Sequence, residues 1–244
     1  MLKQLLSKIF FKKYSKFISK INLKPKEFLL SKDDKALCLA PHADDESIGM
    51  GGFLSKFHEN FDVILLTDGA KGIKDVPGDK VTKIREEEFK KAMNIANIKN
   101  YSFLSAPDGK LTDSFDLFKK IDISEYNYIF IPNIIDQHPD HKAVSILLNE
   151  LLESSTKYKK ELKICFYEVW STLGFVNGFF EITDFVNQKK EMIASYESQT
   201  ATKDYEYHIL GLNGYRGIFK NKKYVEAFMV LDIKDFKDIC KIYQ

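Results

Sequence analysis

Residues 36–52 read "ALCLAPHADDESIGMGG". The first five form an unbroken apolar run, the pattern of a strand covered on both faces. The run exits into His42, Asp44, Asp45 and Glu46, followed by a stretch read as a helix over 47–58. Charge this dense at the end of a buried strand needs a reason, and the rest of the chain repeats the arrangement. Apolar runs recur at 61–67, 101–105, 126–133 and 162–169, separated by helical patterns at 80–97, weakly at 114–122, and at 139–153. This alternation predicts an α/β fold: a Rossmann-like open, mostly parallel sheet with helices on both faces. Beyond residue 170 one helix is expected in "ITDFVNQKKEMIASYES" and a late strand in "YVEAFMVL".

A second polar cluster, "DQHPDH" at 136–141, follows the fourth run. If the strands are ordered 3-2-1-4-5, the first and fourth are neighbours at the switch point, where ligands bind at strand carboxyl ends. The two clusters then face one crevice, as a metal site needs. His42 and Asp45, three apart in a turn, can reach one ion, and His141 can supply a third donor. Such a set leaves a position open for water. Asp44, beside a ligand, is placed to accept the water's proton. His138 is a second acid/base or a stabiliser of developing negative charge, and Asp140 is placed to orient it. Each cluster has a plainer reading, "HADDES" as a helix cap and "HPDH" as a proline-led helix start. The two together favour the metal.

The 244 residues suit one large domain, and 44% hydrophobic content supports a sizeable core. The net charge of +2 conceals an asymmetry: residues 1–26 hold eight lysines and no acid, leaving 29 basic against 35 acidic residues elsewhere. A mildly acidic body argues against nucleic acid as a partner. The expected division is a basic amphipathic arm over 1–26 and a single domain over 27–244. The arm carries Leu2, Leu5, Leu6, Ile9, Phe10, Tyr14, Phe17 and Ile21 at helical spacing. Peripheral membrane contact through residues 1–22 and docking on the arm's own domain or on a partner subunit both fit it. Cys38, Cys165 and Cys240 make neither a disulfide framework nor a Cys-rich zinc site, which fits a cytoplasmic location, if need be peripheral on the membrane's inner face. Homo-oligomerisation stays open.

The two clusters, in this order, resemble the LmbE-like/PIG-L family of zinc-dependent N-acetylglucosaminyl deacetylases. Further matches are "LTDGAKG" (66–72), "REEEFKKA" (85–92), "APDGKL" (106–111), "YEVW" (167–170), "YESQ" (196–199), "GLNGYRG" (211–217) and "VEAF" (225–228). The resemblance covers about residues 33–232. Ala43 stands where the family has proline, a change that removes no ligand. The resemblance implies His42, Asp45 and His141 as ligands to Zn²⁺, with Fe²⁺ compatible, Asp44 as general base, and His138 as the histidine that assists, with Asp140 behind it. It implies substrate contacts by Arg85 and, less directly, Asp108. Arg85 also reads as an exposed partner of Glu88. "GLNGYRG" reads as a loop, from which Arg216 would close over the site, or else as a surface turn. The lone Trp170 reads as core or as a surface for a sugar ring.

The function implied is hydrolysis of a linear amide carbon–nitrogen bond, taking the acetyl group from a small N-acetylated amino sugar as acetate. Rival readings are a metal-dependent amidase acting on a non-sugar amide and a non-catalytic glycan-binding protein at a membrane surface. A paired-metal phosphohydrolase is disfavoured, because five histidines leave too few ligands for a second ion.

Overall fold

The apolar run Ala36–Ala40 is fully buried at the centre of the sheet. The computed structural model describes residues 2–19, 24–154 and 157–243. In chain order the elements are α1 (Leu2–Ile18), β1 (Lys26–Glu27), β2 (Ala36–Ala40), α2 (Asp45–Lys56), β3 (Phe61–Thr67), α3 (Gly78–Ile95), β4 (Asn100–Ala106), α4 (Phe115–Phe118), β5 (Tyr128–Pro132), α5 (Pro139–Ser154), β6 (Lys163–Tyr167), β7 (Gly178–Glu181), α6 (Val186–Ala194), α7 (Glu197–Thr200), α8 (Tyr205–Arg216), β8 (Val225–Asp232) and α9 (Ile233–Tyr243).

Eight strands lie in the order β1-β7-β8-β6-β5-β2-β3-β4. The stretch β4-β3-β2-β5-β6 is wholly parallel and has the order the sequence predicted. Among the described strands only β8 runs the other way, pairing antiparallel with β6 and β7, while β1 extends the edge parallel to β7. Successive side chains on a strand point to opposite faces, so each central strand feeds two cores. Leu37, Leu39, Ile129, Ile131, Ile164 and Phe166 pack with α5 and α9 on one face. Ala36, Cys38, Phe130, Cys165 and Tyr167 pack with α2, α3 and α6 on the other. The connections leaving β2 and β5 therefore diverge to opposite faces, and a crevice opens between them.

Helix α2 must lie close to the sheet. A Cβ on Gly49 would sit 2.3 Å from the Tyr167 ring, and one on Gly52 would sit 2.5 Å from Ile182. The helix breaks at Met50 (φ −150°, ψ 27°). A buried ion pair bridges the break. Glu226 accepts from the backbone N–H groups of Gly52 (3.0 Å) and Phe53 (2.8 Å), while Lys189 donates to the Ile48 carbonyl (2.8 Å) and to Glu226 (2.6 Å). The charges thus satisfy backbone groups that the kink would leave unpaired.

Helix α1 docks on its own domain. Phe17 is buried, the Phe10 ring lies 5.3 Å from Tyr243, and Tyr14 lies 5.9 Å from Phe175. Lys12, Lys13 and Lys16 stay exposed. Met1, residues 20–23 and the side chains of 2–8 and 11 lie outside the described residues, so the contact expected for 1–22 falls only partly within them. No helix among the described residues is long and apolar enough to cross a membrane.

Two expectations change. "GLNGYRG" ends helix α8 instead of forming a loop, because Asp204 caps it by accepting from Tyr207 N–H (3.0 Å) and Tyr205, Ile209 and Asn213 bury one face. The weak helix at 114–122 shrinks to the single turn α4. Strand β7 and helix α9 were not anticipated, though Ile233, Phe236, Ile239, Cys240 and Tyr243 carry a helical period.

Candidate active site

The loops leaving the parallel strands converge on a cavity of about 350 Å³. His42, Asp44 and Asp45 enter it from the β2 exit, Gly69 and Lys71 from β3, Asp108 from β4, His138 from β5 and Trp170 from β6; Arg85 reaches it from α3 and Tyr205 from α8. His42 and His141, 99 residues apart in sequence, place Nδ1 and Nε2 3.3 Å from each other. Asp45 Oδ2 completes the triangle, 3.3 Å from His42 Nδ1 and 3.1 Å from His141 Nε2.

The far nitrogen of each ring is held by a carboxylate. His42 Nε2 lies 3.1 Å from Asp140 Oδ2, and His141 Nδ1 lies 3.3 Å from Asp136 Oδ2. These contacts place the ring protons on the outer nitrogens and turn two lone pairs toward the Asp45 carboxylate. Asp45 Oδ1 is buried with no hydrogen-bond partner. Three acceptors facing one point, with an orphaned oxygen beside them, suit a cation. Donors about 2.0–2.2 Å from a tetrahedral ion stand about 3.3–3.6 Å apart, close to the observed edges. His42–His138–His141 and His42–Asp108–Asp140 also come within reach of a shared ion. The His42–Asp45–His141 set fits better, since Asp140 is already occupied with His42 Nε2 and with the N–H groups of Gly109 (2.7 Å) and Leu111 (3.1 Å).

Burial opposes charge on His141, but the Asp45 and Asp136 carboxylates push it up to about 9. His42 rises likewise, burial being outweighed by its contacts with Asp108, Asp140 and Asp45. Asp45 is held well below the usual carboxylate range by the two imidazoles despite its burial. The carboxylates around the two rings thus favour positive charge between them.

Asp44 occupies the N-cap position of α2, yet its side chain makes no capping bond. Its φ of 143° is strained for a residue other than glycine. Its carboxylate lies 3.5 Å from Arg85 Nη2, and burial pushes it up to about 7 against the pull of that guanidinium. Arg85 is itself buried, with Nε and Nη1 unpartnered. It is not the exposed partner of Glu88, which instead accepts from Ser198 N–H and Oγ–H, both at 2.7 Å. His138 lies 4.5 Å ring to ring from His42. Its Nδ1 accepts from the Asp140 N–H (3.3 Å), so the neutral ring carries its proton on Nε2. Burial and the two neighbouring histidines lower its pKa.

The expectation for Asp140 changes, since its carboxylate turns to His42 and only its backbone meets His138. Asp108 lies in the cavity, but its oxygens already face His42 Nε2 (3.4 Å) and accept from Lys71 N–H (2.9 Å). Arg216 is not in the cavity. It forms a buried ion pair with Glu168 and donates to the Leu173 carbonyl (2.9 Å), because α8 carries it inward. Asp136 was not singled out from the sequence. It accepts from His138 N–H (3.0 Å) and Trp170 N–H (2.9 Å) and lies 3.3 Å from His141 Nδ1, and so touches three parts of the site. An acid five residues before His141 was its only signal.

An open α/β sheet with a histidine–carboxylate cluster at its carboxyl edge is therefore the class of protein that the fold and site define. Residues 37–152 match the model of the PIG-L family, described as GlcNAc-PI de-N-acetylase. The chain is 28% identical over 207 residues to the diacetylchitobiose deacetylase of Thermococcus kodakarensis, covering 76% of this chain and 77% of the relative. The fold is similar to that of the N,N'-diacetylchitobiose deacetylase of Pyrococcus horikoshii, with a TM-score of 0.74, 23% identity, and coverage of 83% of this chain and 85% of that one. It is also similar to a conserved protein of Thermus thermophilus, with a TM-score of 0.69, 25% identity, and coverage of 80% and 93%.

Proposed function

We propose that this protein is a zinc-dependent deacetylase that hydrolyses the acetamide of an N-acetylglucosamine-like sugar, releasing acetate and a free amino sugar. The observation that carries this reading is the donor triangle of His42, Asp45 and His141 with the uncommitted, strained Asp44 carboxylate beside it. The matched family and the diacetylchitobiose deacetylase relative support the substrate class. Three free, buried cysteines support a cytoplasmic setting.

Zn²⁺ held by His42, Asp45 and His141 would polarise the acetyl oxygen and bring the pKa of a water toward neutrality; the same donors accept Fe²⁺. Asp44 takes the proton as the water attacks the acetyl carbon and returns that proton to the departing amine. His138, with its proton on Nε2, donates to the oxygen on which negative charge develops. Arg85, with two N–H sites unspent, binds the sugar or its substituents and keeps Asp44 oriented. Asp136 and Asp140 fix the rings of His141 and His42.

Acetate release from N-acetylglucosamine and N,N'-diacetylchitobiose, before and after chelation and with zinc restored, tests the reading. Metal-dependent acetate release is expected. Release that survives complete removal of metal defeats it, and release only from non-sugar amides would move the assignment to the amidase alternative.

A further inference from the structure

Arg216 stands outside the cavity, yet a chain of contacts leads from it to a proposed metal donor. The segment after β6, residues 168–173, forms a closed turn. Glu168 Oε1 accepts from Leu173 N–H (2.6 Å). Arg216 holds both ends of that turn, donating from Nε to Glu168 Oε2 (3.2 Å) and from Nη2 to the Leu173 carbonyl (2.9 Å). A guanidinium suits this place, because its rigid fork meets a carboxylate and a carbonyl at once. Glu168, Leu173 and Arg216 are buried, whereas Trp170 and Thr172 within the turn are exposed. The turn is therefore held by its ends.

The β5 exit is fastened to the same turn. Asn133 Nδ2 donates to Ser171 Oγ (3.3 Å) and to the Thr172 carbonyl (3.2 Å). Three residues further on, Asp136 uses its two oxygens differently. Oδ1 accepts from His138 N–H, within its own loop. Oδ2 accepts from Trp170 N–H and lies 3.3 Å from His141 Nδ1. The oxygen that faces the His141 ring is thus the one whose place the 168–173 turn sets. Neither Glu168 nor Arg216 lines the cavity, so their effect on the metal donors has to pass along the turn.

We infer that Glu168 and Arg216 are positioning residues for the metal site: by closing the 168–173 turn they hold Trp170 N–H against Asp136 Oδ2, and so fix the ring of His141. This rests on the donor triangle proposed above. Zinc affinity, read by competition with a chromogenic chelator in a double-mutant cycle, tests it. Glu168→Gln with Arg216→Met opens the clamp without stranding a buried charge. This pair should weaken zinc binding about tenfold, the lower end of what losing a partner of a ligand residue costs. In the Asp136→Asn background the His141 ring has already lost its carboxylate, and there the same pair should change affinity by less than about twofold. Asn133→Ala leaves the ion pair intact and frees the turn from its other side, so it should repeat the pattern with a smaller loss. Equal losses in both backgrounds overturn the inference, since a general loosening of the domain adds to the effect of Asp136→Asn and a link through Asp136 does not. Unchanged zinc affinity in folded Glu168→Gln/Arg216→Met protein overturns it as well. Should that protein fail to fold, Asn133→Ala decides by the same two comparisons. Acetate release is measured on the wild type alongside. Additive losses in a protein that releases acetate remove the positioning role and leave the reaction standing. A coupled cycle with no acetate from any N-acetylated sugar keeps the positioning role and removes the reaction, and wild-type protein that binds no zinc overturns both.

Discussion

At Asp44 the backbone is held at a positive φ and the carboxylate is buried without a capping role. Strain of this kind persists where the surroundings over-determine a conformation. Asp44→Asn keeps the shape and removes the base. It should retain zinc in full and lose about 10²–10⁴-fold in kcat, the usual worth of general base catalysis, as read by metal analysis beside acetate release. His141→Ala should lose the metal itself. Asp136→Asn leaves the donors in place but loosens the His141 ring, so metal affinity should fall about 10–100-fold in competition with a chromogenic chelator. The meeting of His42, Asp45 and His141 was legible in the sequence because topology alone brings the exits of β2 and β5 together. The partners of Asp136, Asp140 and Arg216 were not. Which ring a carboxylate turns to, and whether an arginine meets an acid from another strand, depends on packing that motif spacing does not encode.

The N-terminal turn of α2 begins at Asp45 and directly follows Asp44, so the kink at Met50 bears on the site. The Lys189–Glu226 pair is fully buried and satisfies backbone groups on both sides of the break. Replacing a buried pair by apolar residues can be neutral, but removing one partner strands a charge. Glu226→Gln should therefore cost about 3–5 kcal/mol in urea unfolding, and Glu226→Gln with Lys189→Met should recover part of it. Gly52→Ala drives a methyl into Ile182 and should cost about 1–3 kcal/mol. The parallel strands were readable as apolar runs because both faces of the sheet are covered. Helix α8 was masked by its glycines, Gly211 and Gly214, where a Cβ would meet nothing closer than 4.0 Å, so there glycine is permitted and not required.

On the scale of the molecule, the amino-terminal arm is joined to the core at Phe17 and again at β1. Phe17 is buried among residues of one sheet face, and β1 adds to the sheet edge beside β7. Phe17→Ala should destabilise the whole domain by about 3 kcal/mol, visible as a lower urea midpoint with an unchanged slope. If unfolding is instead unaltered, the arm is an appendage. The composition of the arm marked it as separate, whereas its aromatic contacts with Tyr243 and Phe175 could not be read before α9 was recognised.

The three thiols sit in different parts of this framework: Cys38 in β2 and Cys165 in β6 within one face's core, Cys240 within α9 on the other. Burial pushes the pKa of each upward, so none is reactive while its surroundings stay closed. Alkylation with a bulky maleimide would act as a three-channel clock of local opening. The cysteine on the terminal helix should be modified first, and the two in the central strands should follow only at the rate of global unfolding.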